Sequence, residues 1–297
     1  VLRMKVQFLN GGLANQAFQY IFARYYELSH PQDVMYLDDS YFALHTVHNG
    51  YELEKVFGLK PHMLSECFDP DVWEFILGGR KEGKSVPQIL FDQGIGMYMI
   101  HEADTYKTFN PFDGVKCPIP CNEYRPEILD APGDVYYHGY WINKNWFAAY
   151  REEFLKEFRF PEIKDAKNRE YDNRIRNTNS VSIHIRRGDY VALGVAQDAE
   201  YYKCCCKYFA GSASGKWDLF VFSDDIDWCR QHREELGFGC FADVTFVDGN
   251  VQGNNYIDMQ LMSRCKGMIM SNSAFCYLAA LLNVDMEHCV NPTSREI

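Results

Sequence analysis

Four short apolar runs alternate with four helical patterns in the last third of the chain. Val181, Ile183 and Ile185 share one side of a strand, and the spacing predicts a helix over 198–210. Strand and helix then repeat at 219–222 and 226–236, at 244–247 and 256–265, and at 268–270 and 273–283. Strands joined by helices in this way run parallel and carry helices on their faces, so the expected fold is a doubly wound α/β sheet. Ligands of such sheets lie beyond the carboxyl ends of the strands. The residues that follow each strand are therefore the place to look for chemistry.

The opening repeats the pattern. Residues 5–9 read as a strand, and Asn10-Gly11-Gly12-Leu13-Ala14-Asn15-Gln16 as a tight turn. Leu13, Ala17, Ile21, Tyr25 and Leu28 then recur at helical spacing up to about His30, before Pro31. A strand is expected at 34–37. Residues 40–135 show Pro and Gly breaks among many aromatics and give no clear order. A strand is expected at 134–140. A single helix is expected at 145–158, with Trp146, Tyr150, Phe154 and Phe158 along one side. The polar, charged stretch 161–179 reads as the boundary between two domains, 1–165 and 166–297. A chain of 297 residues suits one large or two medium domains. No internal repeat or low-complexity tract is visible.

Composition excludes several classes. The 30 Lys and Arg stand against 41 Asp and Glu, a net charge of −11 that argues against a nucleic-acid binder. Only a pocket need be positive to hold a phosphorylated ligand. No stretch approaches the roughly 18–20 apolar residues of a membrane span. The first residues show no long apolar signal core, and Met4-Lys5 reads as a native start behind a short leader. The 11 cysteines are odd in number and include the run Cys204-Cys205-Cys206. With no permissive Asn-x-Ser/Thr site, they point to a reducing compartment. A cytoplasmic protein is expected, or one peripheral to the inner face of a bacterial membrane.

The carboxyl ends of the expected strands carry the candidates. His184-Ile185-Arg186-Arg187-Gly188-Asp189-Tyr190 closes the first of them. An Arg there needs an anion, and a pyrophosphate suits the planar fork of Arg186. The alternative is a structural ion pair, such as Arg187 with Asp189. Phe222-Ser223-Asp224-Asp225 closes the second strand, where Ser and Asp can cap the next helix or hold a divalent metal. Asp69-Pro70-Asp71 reads as a turn and Asp225-Ile226-Asp227 as a helix start, so neither Asp-x-Asp supports a metal site. Ser271-Asn272-Ser273-Ala274-Phe275 opens a helix whose amides can receive an anion, or whose Ser simply caps it. Asp258 can accept a pair of donors from a guanine edge, or offset a helix dipole.

Other features are weaker. Gly11-Gly12 lacks both the dinucleotide glycine spacing and the P-loop Lys. Asn15 and Gln16 read as caps, or as groups reaching into a cleft between domains. The three adjacent cysteines read as helix packing. Trp73, Tyr98, Trp141 and Trp146 could line a ligand site, although core packing is the better reading. Neither a Gly-x-Ser-x-Gly elbow nor a His-Glu-x-x-His pair occurs.

Taken in order, these pieces resemble the α-1,2-fucosyltransferases of glycosyltransferase family 11, within the wider His-x-Arg-Arg fucosyltransferase group. Residues 11–20 match the family's Gly-Gly-Leu-Gly-Asn-Gln-Met-Phe-Gln-Tyr-like opening with two small replacements. The central His-Ile-Arg-Arg-Gly-Asp-Tyr stands unaltered at 184–190. Phe-Ser-Asp-Asp lies at 222–225, followed by Trp228 and Cys229. Asp258, Leu261, Met262, Ser263 and Cys265 keep another family spacing, and Asn272-Ser273-Ala274-Phe275 a further one. Two departures stand out. Ala14 replaces a glycine, and Cys276-Tyr277-Leu278-Ala279 replaces a Ser-Trp-Trp-Gly-like run.

The resemblance implies a GT-B architecture, two Rossmann-like domains facing across a cleft. It implies an acceptor-side domain over 1–165 and a GDP-sugar-binding domain over 166–297. The implied reaction is inverting transfer of L-fucose from GDP-β-L-fucose to the 2-hydroxyl of a terminal galactose. The acceptor would be a glycan such as lactose or an N-acetyllactosamine type. No cofactor and no metal are expected. Arg186 would meet the leaving diphosphate, and Asn15 would lie near the transferred sugar. Asp189 is the candidate base, unless a phosphate oxygen takes the proton. His184, Ser223, Asp258, Ser271, Asn272, Ser273, Phe275 and Gly12 complete the expected donor contacts. Alternatives are another GDP-sugar or linkage, and a non-catalytic nucleotide- or glycan-binding module.

Overall fold

A computed structural model of the chain describes residues 4–103, 118–211 and 216–292. Strand β1 (Lys5–Phe8) is buried at every position, as a strand with neighbours on both edges and cover on both faces must be. Gly11 follows with φ +80, and a Cβ there would lie 2.7 Å from the Asn15 amide nitrogen. That conformation turns the chain directly into helix α1 (Leu13–Ser29). The helix buries Ala17, Phe18, Ile21 and Phe22 and ends ahead of Pro31, as expected. Strand β2 (Met35–Asp38) completes the first β-α-β unit.

Among its described residues, the stretch that gave no clear order holds four α-helices: α2 (Ser40–Leu44), α3 (Leu53–Phe57), α4 (Pro70–Lys81) and α5 (Val86–Asp92). Asp69-Pro70-Asp71 is therefore the opening of α4 and not a turn, with Pro70 in the first helical position where its missing N–H costs nothing. Strands β3 (Tyr98–Ala103), β4 (Pro118–Pro120) and β5 (Val135–His138) follow. The five strands form one parallel sheet in the order β2-β1-β5-β3-β4.

Where one helix was expected at 145–158 there are two, α6 (Lys144–Ala148) and α7 (Arg151–Glu157). Tyr150, at φ −131° and ψ 39°, breaks the run. Trp146 and Phe154 are still fully buried, so the apolar stripe was correctly placed but spans a break. Trp141 and Trp146 pack on Phe22, at 4.4 and 5.0 Å between ring centroids. Both belong to the core, whereas Tyr98 is exposed.

The chain forms two compact units, Val1–Arg159 and Phe160–Ile297, dividing six residues ahead of the expected position. Much of the polar stretch at 161–179 is a helix, α8 (Ala166–Asn177), capped by Asp165 accepting from the Asn168 N–H at 2.8 Å. Only Asn168 and Ile175 of α8 are buried, so its sequence shows almost no apolar periodicity.

The second unit then alternates as expected, with a helix at Gly188–Ala192 and a strand at His288–Val290 added, and with the helix expected at 226–236 ending at Gln231. Strand β6 (Ser180–Ile185) leads through α9 (Gly188–Ala192) and α10 (Ala199–Ala210) to β7 (Asp218–Ser223). Helix α11 (Ile226–Gln231), β8 (Asp243–Phe246), α12 (Tyr256–Met262), β9 (Gly267–Ile269), α13 (Ala274–Leu281) and β10 (His288–Val290) complete it. Cys205 and Cys206 of α10 join the core against β6 and β7, the packing role expected of the run, whereas Cys204 is exposed on the outer side of the helix and does not pack. The sheet is parallel throughout, in the order β10-β9-β6-β7-β8. The chain winds outward from β6 to β8 and returns to place β9 on the other side of β6. The crevice beyond the carboxyl ends of β6 and β9 is thus the topological switch point.

Candidate active site

His184 and Ser271 meet at that switch point. The His184 Nδ1 lies 2.8 Å from the Ser271 Oγ, and both residues are buried. Burial, reinforced by the charge of Arg186, pushes the His184 pKa down to about 3. The ring is therefore neutral at physiological pH. Its face lies near the Phe275 ring, with centroids 5.6 Å apart. Ser271 Oγ also accepts from the Ser273 N–H at 3.4 Å, and Ser273 Oγ accepts from the Phe275 N–H at 3.3 Å. Two amides at the start of α13 are thus taken by serine hydroxyls. Asn272 donates to the Val195 carbonyl at 2.8 Å, while its own Oδ1 is buried without a hydrogen-bond partner among the described residues.

Arg186 follows β6 directly. Its Nη2 lies 2.6 Å from Asp189 Oδ1 and its Nη1 3.1 Å from Asp224 Oδ2. Its Nε is buried and has no partner among the described residues. A buried donor left unsatisfied costs about 1–3 kcal/mol, and an anionic ligand is the natural way to remove that cost. The expected alternative of an Arg187–Asp189 pair does not form. Arg187 instead bonds Asp225 at 3.2 Å and lies 3.5 Å over the Trp228 ring, so Asp189 turns to Arg186. The reason is register. Ile185 pairs with Ser223, which sets the Asp224-Asp225 pair beside the two arginines. Ser223 Oγ ties the two strand ends together, donating to the Ile185 carbonyl at 2.7 Å and accepting from the Asp225 N–H at 3.0 Å.

Asp224 escaped the sequence reading as a site residue, although its motif was visible. Its Oδ1 accepts from the Arg187 N–H at 2.8 Å while Oδ2 faces Arg186. A Cβ on Gly188 would stand 2.6 Å from that Oδ2, so the glycine is what lets the carboxylate approach.

Asp258 sits in the first turn of α12, half-buried, and accepts from Asn250 at 2.7 Å. Asn250 and Asn168 exchange amide hydrogen bonds at 2.8 and 2.9 Å. Removal from water pushes the Asp258 pKa up to about 7; the Asn250 bond pulls the other way, and the charge of Asp248 adds to the rise. Asp248 itself is held by Lys167 and Arg230, which keep its carboxyl below the usual range. Helix α12 follows β8, so its first turn lies on the carboxyl edge of the sheet. The fold therefore brings His184, Arg186, Ser223, Asp258 and the 271–275 segment to one edge, although Asp258 belongs to a separate polar cluster.

In the N-terminal unit, Gly12 is the N-cap of α1. Asn15 is half-buried at the helix start. Gln16 does not reach outward. It is fully buried, donates to the Gly11 and Gly50 carbonyls at 2.9 Å each, and accepts from the Glu52 N–H at 2.9 Å. Gln19 likewise donates to Asn10 at 2.7 Å and to the Gly139 carbonyl at 3.2 Å. The Asn-Gln-x-Phe-Gln opening thus shapes the glycine turn through Gln16 and Gln19, with Asn15 half-buried beside Gly11. Among the described residues, no group of three or more His, Cys, Asp or Glu could hold a metal ion. No helix among them is long and apolar enough to cross a membrane.

The sequence pattern described as Glycosyl transferase family 11 matches residues 126–294. The chain is 30% identical over 296 residues to the α-1,2-colitosyltransferase of Escherichia coli, covering 96% of this chain and 90% of that protein. It is 27% identical over 169 residues to galactoside α-(1,2)-fucosyltransferase 2 of Gorilla gorilla gorilla, covering 52% of this chain and 48% of that protein. Among solved structures it resembles fucosyltransferase NodZ from Bradyrhizobium, with a TM-score of 0.50 at 14% identity over 95% of this chain and 94% of that one. At that identity the likeness concerns the fold, which is an α/β fold of the GT-B type. The switch-point arginine fork, the unaltered motif at 184–190 and these matches agree: the chain belongs to glycosyltransferase family 11.

Proposed function

We propose that the protein transfers L-fucose from GDP-β-L-fucose to the 2-hydroxyl of a terminal galactose, with inversion, giving an α-1,2 linkage. The observation that carries this reading is the Arg186 fork at the switch point, with one buried N–H awaiting an acceptor. Transfer builds positive charge on the anomeric carbon and negative charge on the departing diphosphate. A guanidinium placed where that negative charge grows stabilises the transition state, with no metal required for the purpose. The loss of one such donor costs roughly 3–4 kcal/mol. His184, Asp258 and the 271–275 segment, Asn272 included, would hold the nucleotide. Gly12 would contact the donor and Asn15 would lie near the transferred sugar, both from the N-terminal unit. The acceptor's proton would go to a carboxylate or to a phosphate oxygen. Asp189 is the motif's own carboxylate, but its bond to Arg186 favours the phosphate oxygen.

A second reading is favoured by the colitosyltransferase relative: the donor is GDP-colitose, whose sugar is L-fucose without its 3-hydroxyl. A site built to bond a hydroxyl rejects the analogue that lacks it far better than an apolar site rejects an added one. The decisive assay offers GDP-fucose and GDP-colitose separately, with lactose as acceptor and EDTA present, followed by linkage assignment. A fucosyl-α-1,2-galactose product supports the first reading, and a product from GDP-colitose alone supports the second. Loss of turnover in EDTA, restored by a divalent ion, would overturn the metal-free mechanism. A folded sample that binds no GDP would overturn both readings.

A further inference from the structure

Two carboxylates face Arg186, and their surroundings differ. Asp224 is held at both carboxylate oxygens. Its Oδ1 is held by the Arg187 backbone N–H, its Oδ2 lies against Nη1, and the absent side chain of Gly188 gives it room. Asp189 is 56% exposed, sits three residues from Arg186 in the short α9, and makes a single contact, with Nη2. The side-on edge of the guanidinium, made of Nε and Nη2, is held at Nη2 alone, by Asp189. Nε on that edge is buried and without a partner among the described residues. Diphosphate oxygens take an arginine most firmly through two parallel N–H bonds. Nη1 has one of its two N–H groups committed to Asp224, so the side-on edge is the one that carries a donor with no partner among the described residues.

We propose that Asp224 is a positioning residue that fixes the Arg186 guanidinium through Nη1, and that Asp189 is a displaceable counterion standing where a diphosphate oxygen of the donor binds. This rests on the reading of Arg186 as the ligand of the diphosphate. Donor binding exchanges the Asp189 contact at Nη2 for a phosphate oxygen, brings a second oxygen to Nε, and leaves the Asp224 contact intact. Asp189 then acts against ground-state binding, whereas Asp224 acts on the aim of the fork in the transition state.

The two halves predict opposite signs. Asp189→Asn should bind GDP about threefold more tightly by calorimetry, the size of one part-exposed ion pair removed from competition. Asp224→Asn should lower kcat by about 100-fold, the usual effect of a misplacement near 1 Å, with a much smaller rise in the donor KM. Gly188→Ala should reproduce the kcat loss without altering either carboxylate, and it carries the test if Asp224→Asn fails to fold. Unchanged or weaker GDP binding in Asp189→Asn overturns the counterion role. A kcat within twofold of the parent in Asp224→Asn or Gly188→Ala overturns the positioning role. Absence of GDP binding by the unaltered protein would instead remove the underlying assignment of Arg186.

Discussion

Arg186 stands between two carboxylates, Asp189 and Asp224. An Arg at the end of an apolar strand calls for an anion on chemical grounds alone. Which carboxylate stands beside it depends on the Ile185–Ser223 register, which no local pattern specifies. Arg186→Ala should reduce kcat by about 100- to 1,000-fold, and Arg186→Lys should restore little because an ammonium cannot bond through two parallel N–H groups. Steady-state kinetics with saturating acceptor would check both; near-normal turnover in the Ala variant sinks the assignment. Asp258 makes a different kind of prediction. Its pKa, raised to about 7 by burial, means that the folded chain holds a proton there that the unfolded chain has lost. That contribution is present at low pH and fades as pH rises through 7. Asp258→Asn should therefore gain melting temperature over the parent at pH 8, and the gain should shrink toward pH 5. If Asp258 accepts from guanine it must be ionised, so GDP affinity should rise as pH rises through 7. A pH-independent affinity would remove it from the guanine site. His184 has the reverse sign: its depressed pKa removes stability as pH falls from the ordinary imidazole range toward 3.

Among the elements, those with strong periodicity were read well. Strands β6 to β9 and the helices α10, α12 and α13 lie where the alternation put them, within a few residues. Helix α8 was hidden because its stability comes from the Asp165 cap and one buried isoleucine, Ile175, and not from an apolar stripe. The break at Tyr150 was hidden because the aromatic spacing continues across it. In the first turn of α1, the sequence offered Gln16 as a cap or as a group that could reach outward, and the structure uses it as a brace. Gln16→Leu leaves the Gly11 and Gly50 carbonyls and the Glu52 N–H without their side-chain partner. Stability should fall by about 2–4 kcal/mol, read from the urea midpoint. A loss below about 0.5 kcal/mol would show that water replaces the amide.

For the whole molecule, the two parallel sheets have separate cores and are expected to respond separately to ligand. GDP at 100 times its dissociation constant adds about 2.7 kcal/mol to whichever unit binds it. Hydrogen exchange should show that protection in β6, β7 and β9 and leave β1 and β2 unchanged. Equal protection in both units would show that the nucleotide is held by both. The strand order β2-β1-β5-β3-β4 has a consequence for how the protein is made. The strand that joins β1 to β3 is the last to be translated, since Lys5 must wait for Val135 and Tyr98 for the same residue. At about 5–20 residues per second, β1 leaves the ribosome on the order of ten seconds before its inner neighbour exists. Throughout that interval β1 has an unpaired edge, and once β4 has been made the nascent chain carries two half-sheets with open edges, the form most prone to pair with another chain. A polypeptide stopped at residue 130 should accordingly aggregate or occupy a chaperone, and one extended to residue 159 should not.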